Sequence, residues 1–185
     1  EDSLKARFCR EGNAALAAYC EAKGLPVNRC GKLVVARSEA ELPALDELLR
    51  RGRANGVRLE LLTGAEARSI EPRVRTAGRA LWSPATATVD PKAVVGAMVE
   101  DGRREGVELR SGAAYLGRTA DAILTTAGPV SAGFVVNAAG LYADRIALDF
   151  GFSRAYRILP FKGLYLESDE PPGAVRTCVY PVPDP

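Results

Sequence analysis

Apolar residues fall into helical and strand-like textures along this chain. Leu4, Phe8, Leu16, Tyr19 and Cys20 recur at helical spacing behind Ser3, a good N-cap residue. They predict a helix over about 4–23, which Gly24 and Pro26 end. Gly31-Lys32-Leu33-Val34-Val35-Ala36 reads as a short strand. Ser38 with Glu41 has the spacing of a capping box for a helix to about Arg51, with Leu42, Leu45, Leu48 and Leu49 on one face. A strand is expected at 57–62. Thr63 with Glu66 repeats the capping box before a short helix that Pro72 stops. Leu81, Trp82 and Val89 mark one or two strands. Asp90-Pro91 starts a helix to about Glu105 that turns Val94, Val95, Met98 and Val99 inward. Further strands are predicted at 107–109, 114–116 and 122–125, with a Gly128-Pro129 turn after them. The last predicted strands are 156–160, 161–167 and 175–182, joined by the Asp169-Glu170-Pro171-Pro172-Gly173 turn. Strands and helices do not alternate cleanly, so the expected class is α+β (α/β), with segments crossing between two layers or domains.

The stretch Gly133–Asp144 organises this pattern. Phe134, Val135 and Val136 are strand-like, Ala138, Ala139 and Gly140 are small, and a helical pattern resumes through Ile146, Ala147 and Phe150. It predicts a buried strand, a tight turn and a helix. A turn with almost no side chains lets a flat ligand approach the backbone, and free N–H groups at a helix start suit a phosphate or an electron-rich ring edge. Tight corner packing for its own sake explains the same residues.

Composition narrows the chemistry. The 185 residues are 47% hydrophobic and 26% charged with a net charge of +2, an ordinary globular balance that favours no nucleic-acid surface. No apolar run reaches the roughly 20 residues of a spanning helix, and Glu1-Asp2-Ser3-Leu4-Lys5 has no signal-peptide pattern. Cys9, Cys20, Cys30 and Cys178 form no C-x-x-C pair. Cys9 and Cys20 sit in a helical pattern and are expected to be buried thiols, which points to a reducing compartment without a structural disulfide. With no histidine, a Ser-His or Cys-His pair is excluded within these residues, and no metal site is expected. Any chemistry therefore rests on a cofactor or on a base elsewhere, and the catalytic residues are left unassigned. A G-x-G-x-x-G fingerprint is absent, and the Gly128/Gly133 spacing is not followed by Gly-Lys-Ser/Thr.

A run of motifs carries a resemblance. These are Ser3–Cys9, Gly12, Tyr19-Cys20, Lys23-Gly24, Cys30–Ala36, Asn55-Gly56-Val57, Glu71-Pro72, Thr88-Val89-Asp90, Ala138–Asp144, Pro160-Phe161-Lys162-Gly163 and Tyr180–Asp184. In this order the chain resembles the FAD-dependent L-2-hydroxyglutarate dehydrogenases and oxidases, within the D-amino-acid-oxidase-like flavoproteins. The resemblance implies an internal piece of a two-domain fold that lacks the N-terminal dinucleotide-binding βαβ unit. It implies FAD-domain segments at 1–30 and 89–152, and substrate-domain segments at 31–88 and 153–185. It assigns Ala138, Ala139, Gly140, Leu141 and Tyr115 to the cofactor FAD, Tyr115 through its backbone on the adenine side.

For a carboxylate substrate the same resemblance points to Lys162, Gly163 and Tyr180. Alternation along 161–165 would put Lys162 on one face of a strand and Phe161, Gly163 and Tyr165 on the other. Where the family often has an acidic residue after that glycine, this chain has Leu164; Arg154 and Arg157 are nearby cations. The implied activity is oxidation of a 2-hydroxy acid to a 2-oxo acid by hydride transfer to flavin, with the base outside these residues. Oxygen or a quinone would accept the electrons, in the cytoplasm or peripheral to the inner membrane. Alternatives are a glycerol-3-phosphate or amino-acid oxidase or dehydrogenase of the same fold group, or a cofactor-free binding module.

Overall fold

The computed structural model describes residues 3–183, so Asp184 of the Tyr180–Asp184 motif lies outside the described residues. The elements in chain order are α1 (Leu4–Ala22), β1 (Val27–Asn28), β2 (Lys32–Val35), α2 (Leu42–Ala54), β3 (Glu60–Thr63) and α3 (Gly64–Ile70). Then come β4 (Arg79–Ser83), β5 (Thr88–Val89), α4 (Pro91–Arg104), β6 (Tyr115–Arg118), β7 (Ile123–Thr125), β8 (Gly128–Val130), α5 (Ala143–Asp149) and β9 (Cys178–Pro181). They form two compact units, residues 1–104 with 169–185, and residues 105–168.

The first unit is built on a four-stranded sheet in the order β3-β4-β2-β9. β4 runs antiparallel to β3 and β2, and β9 joins β2 in parallel. Successive β2 residues face opposite sides, and each side is covered by a helix. Leu33 and Val35 pack with Ala80, Val74 and Ala67 of α3. Val34 packs with Leu81, Val182, and Leu42, Leu45 and Leu48 of α2. Fully burying a leucine such as Leu33 or Leu45 contributes roughly 1.5–3 kcal/mol.

The helix starts show which sequence signals are local. Ser3 Oγ accepts the Ala6 N–H (3.2 Å), and Thr63 with Glu66 forms the full capping box. Asp90 Oδ1 accepts the Lys92 N–H (2.8 Å) at α4. The Ser38/Glu41 box does not form. A 3-10 turn over Glu39–Glu41 runs into α2, and Glu41 reaches back to the Arg37 N–H (2.7 Å) instead.

α4 buries Val94 but leaves Val95 and Met98 exposed, against the inward reading, because only one narrow stripe of it is covered in this unit. Cys9 is likewise exposed on α1, whereas Cys20, about three turns further along the same face, is buried. A buried carboxylate, Glu71, accepts N–H bonds from Arg73 (3.0 Å) and Arg176 (2.6 Å). Burial alone would raise its pKa, but these backbone donors, with that of Thr177, hold it below the ordinary glutamate value.

The second unit holds a three-stranded antiparallel meander, β6-β7-β8, followed by an extended run, the bend at Ala138–Gly140 and α5. Gly128 and Pro129 lie inside β8, so the expected turn sits one step earlier, where Thr125 Oγ1 donates to the Gly128 carbonyl (2.6 Å). The predicted strands at 107–109, 133–137, 156–160 and 161–167 are not formed. Their apolar side chains stand in solvent, with Phe134 83%, Phe161 91% and Tyr165 93% exposed. An extended run becomes a strand only when another strand takes up its N–H and C=O groups, and these runs pair with none of the described residues.

Candidate cofactor site

In the second unit the bend is held from within its own sequence. The Asn137 side chain accepts the Ala139 N–H (3.3 Å) and donates to the Ala143 carbonyl (2.8 Å), clamping both sides of the turn. The Tyr142 N–H closes a 3-10 turn on Ala139 O (3.0 Å). Gly140 has φ +54, a left-handed value that suits glycine, and a Cβ built there would meet nothing within 4 Å. The main chain at the bend is therefore open on its outer side, as the small-residue reading expected.

Asp144 ties this bend to the run beyond α5. It accepts the Ile158 N–H (3.0 Å) and the Arg145 N–H (2.8 Å), and the first of these does most to hold its carboxyl below the ordinary value.

Between the bend, α5 and β6 lies a cavity of about 940 Å³, at the upper end of the roughly 300–1,000 Å³ usual for small-molecule sites. Tyr115, Arg118, Ala139, Tyr142, Arg145 and Asp149 are among its lining residues. The Tyr115 hydroxyl donates to the Asp149 carboxylate. Burial of the ring, then this bond and the Asp149 charge, push the phenol up to about 12, so it stays protonated and neutral. Arg118 Nε donates to the Asp149 carbonyl (3.0 Å) and stacks over Phe150, while Arg145 lies over the Tyr142 ring at 5.5 Å. The wall thus combines two guanidinium groups and an aromatic face beside exposed backbone, a set suited to a planar anionic ligand. α5 has only seven residues and follows a 3-10 turn, so its dipole is a weaker contribution than the sequence pattern suggested.

The predicted site residues separate. Tyr115 and Ala139 line this one cavity, and Ala138, Gly140 and Leu141 adjoin it along the chain. Lys162 and Gly163 lie in the exposed run 152–168, which forms no strand, so the expected strand alternation does not place them. A Cβ on Gly163 would meet the Tyr165 ring at 2.8 Å, a close approach made by a neighbouring side chain. Tyr180 belongs to the first unit, on β9 opposite Val34, with Lys32 Nζ 5.8 Å from its ring centroid. Sequence reasoning missed Arg118, Arg145 and the Tyr115–Asp149 clasp. No local motif joins residues 34 positions apart. The Asn137 clamp had a signal, an asparagine placed two residues before the N–H it caps.

The family model described as FAD dependent oxidoreductase matches residues 1–185. L-2-hydroxyglutarate dehydrogenase of Escherichia coli (strain K12) is 33% identical over 189 residues, covering 99% of this chain and 44% of that protein. The mitochondrial L-2-hydroxyglutarate dehydrogenase of Caenorhabditis elegans is 35% identical over 196 residues, covering 99% and 45%. The chain therefore spans less than half the length of the curated relatives it matches. Among solved structures, L-proline dehydrogenase from P. horikoshii is similar with a TM-score of 0.78 at 20% identity, covering 95% of this chain and 49% of that one. Glycine oxidase from Geobacillus kaustophilus reaches a TM-score of 0.63 at 24% identity, covering 80% and 41%. These two likenesses establish the fold, and the match along the whole chain establishes the family: this chain belongs to the FAD-dependent oxidoreductases.

Proposed function

We propose that the protein oxidises a 2-hydroxy acid of the L-2-hydroxyglutarate kind to the corresponding 2-oxo acid. One observation carries this: identity of 33–35% along essentially the whole chain to curated proteins named L-2-hydroxyglutarate dehydrogenase, from bacteria and animals alike. The amine-oxidising structures share the fold at lower identity.

The residues present suit FAD. The open backbone at Gly140 admits a flat ring, and the cavity beside Tyr115 and Ala139 has the volume and the cations for an anionic ligand. In this reading Ala138, Ala139, Gly140 and Leu141 offer main chain, and Tyr115 fixes the wall through Asp149. Bound FAD would supply a two-electron acceptor for the substrate hydrogen. Lys162 would attract a substrate carboxylate, Gly163 would leave room beside it, and Tyr180 would present a hydroxyl. Segments 1–30 and 89–152 are assigned to an FAD domain, and 31–88 and 153–185 to a substrate domain. Oxygen or a quinone would serve as final acceptor, with the protein in the cytoplasm or peripheral to the inner membrane. Among the described residues no helix is long and apolar enough to cross a membrane.

Protein expressed from the complete coding sequence should be yellow. Its flavin absorbance should bleach anaerobically on adding L-2-hydroxyglutarate, but not on adding glycine, proline or glycerol 3-phosphate. Bleaching by one of those three alone, or a folded colourless protein, overturns the reading.

A further inference from the structure

Cys30 and Cys178 are 148 positions apart in sequence, yet their Sγ atoms lie 3.8 Å apart. Both are free, half-buried thiols in the first unit. Each is held by a frame that limits its drift. Next to Cys30, Gly31 has φ +69, and its N–H donates to the Thr86 carbonyl (2.9 Å). A Cβ on Gly31 would fall 1.9 Å from the Trp82 ring, so the strand entry is pinned beneath that indole. Cys178 opens β9 in register with Lys32 of β2, and two residues earlier Arg176 is tied to buried Glu71. A disulfide needs its sulfurs about 2.05 Å apart, so the gap is about 1.8 Å too wide, within reach of side-chain rotation. Burial, then the neighbouring Cys30 thiol, raise the Cys178 thiol above its ordinary value, and the ammonium of Lys32, on the neighbouring strand position, offsets only part of this.

We propose that Cys30 and Cys178 form a reversibly oxidisable dithiol, a modification site for two-electron oxidants such as peroxides and small disulfides. With hydrogen peroxide, one thiolate attacks an oxygen, an S–O bond forms, the O–O bond breaks and one water leaves. The second thiol then attacks that sulfur, forming S–S while S–O breaks and a second water leaves. Peroxide gains two electrons, the two thiols lose two, and the thiol protons end in water. The bond ties β9 to the entry of β2 and closes a loop holding the whole second unit. Removing that freedom from the unfolded chain should raise Tm by roughly 10 °C or more.

The purified protein is treated with hydrogen peroxide, alkylated with N-ethylmaleimide and mapped by mass spectrometry. The expected product is two hydrogens lighter, joins the Cys30 and Cys178 peptides, and reverts with dithiothreitol. Exposed Cys9 alkylates and buried Cys20 resists, as internal controls. Cys9→Ser keeps the cross-link; Cys30→Ser and Cys178→Ser each abolish it. Separate labelling or over-oxidation of Cys30 and Cys178 in the unsubstituted protein, without a cross-link, overturns the proposal even if a variant fails to fold.

Discussion

In the first unit Leu33 and Val35 disappear beneath α3, while in the second Val135 and Val136, no less apolar or β-branched, stand exposed. Every buried hydrophobic residue described lies in the first unit, and none of residues 105–168 is buried. The two units do not differ in the residues they use so much as in what those residues find. β2 gains β4 on one side, β9 on the other and a helix on each face. The runs at 133–137 and 156–167 gain no strand. Apolar periodicity states a demand for cover, and only a second element meets it. The same contrast sorts the site: the second unit keeps open main chain and a wide cavity, which suit a ligand, where the first closes its sheet.

Substitutions test how deep this contrast goes. Leu45→Ala, at a fully buried position under the sheet, should cost roughly 3 kcal/mol in urea unfolding. A loss below 1 kcal/mol would mean that the first unit is not the tightly packed one.

Tyr115→Phe should cost about 1 kcal/mol, the net worth of one hydrogen bond. The phenol is raised from about 10 when unfolded to about 12 when folded, which favours its protonated form. Its contribution is therefore whole below pH 10 and is lost as pH rises through about 12. An ultraviolet tyrosinate titration should show a late step that the variant lacks. A profile without that step would dissolve the Tyr115–Asp149 clasp and leave the second unit looser than described.

Phe161→Ala should change stability by no more than about 0.5 kcal/mol, since the ring touches solvent on nearly every side. A cost above 2 kcal/mol in the same measurement would show that this exposed run is packed, and the comparison between units would fail.

Several features were legible because their cause lies within four residues. The Ser3 cap, the Thr63–Glu66 box, the Asp90-Pro91 start and the Gly24 stop each appear where the pattern put them. The Ser38–Glu41 box did not form: Glu41 takes the Arg37 N–H (2.7 Å), and Ser38 makes no side-chain cap bond. The small-residue bend was legible too, since Gly140 leaves its outer side open as its lack of a side chain implies.

By itself the sequence determined the helices with local caps, the short strand β2, the open bend and the likeness to a flavoprotein family. Only the tertiary structure decided which apolar runs became strands, that β9 returns in parallel beside β2, and that Asp149 and two arginines join Tyr115 in lining one cavity. It alone brought Cys30 to Cys178. The reason is range: caps and turns are settled by neighbours along the chain, whereas pairing, burial and a cavity wall depend on groups tens of residues away, whose meeting no local pattern encodes.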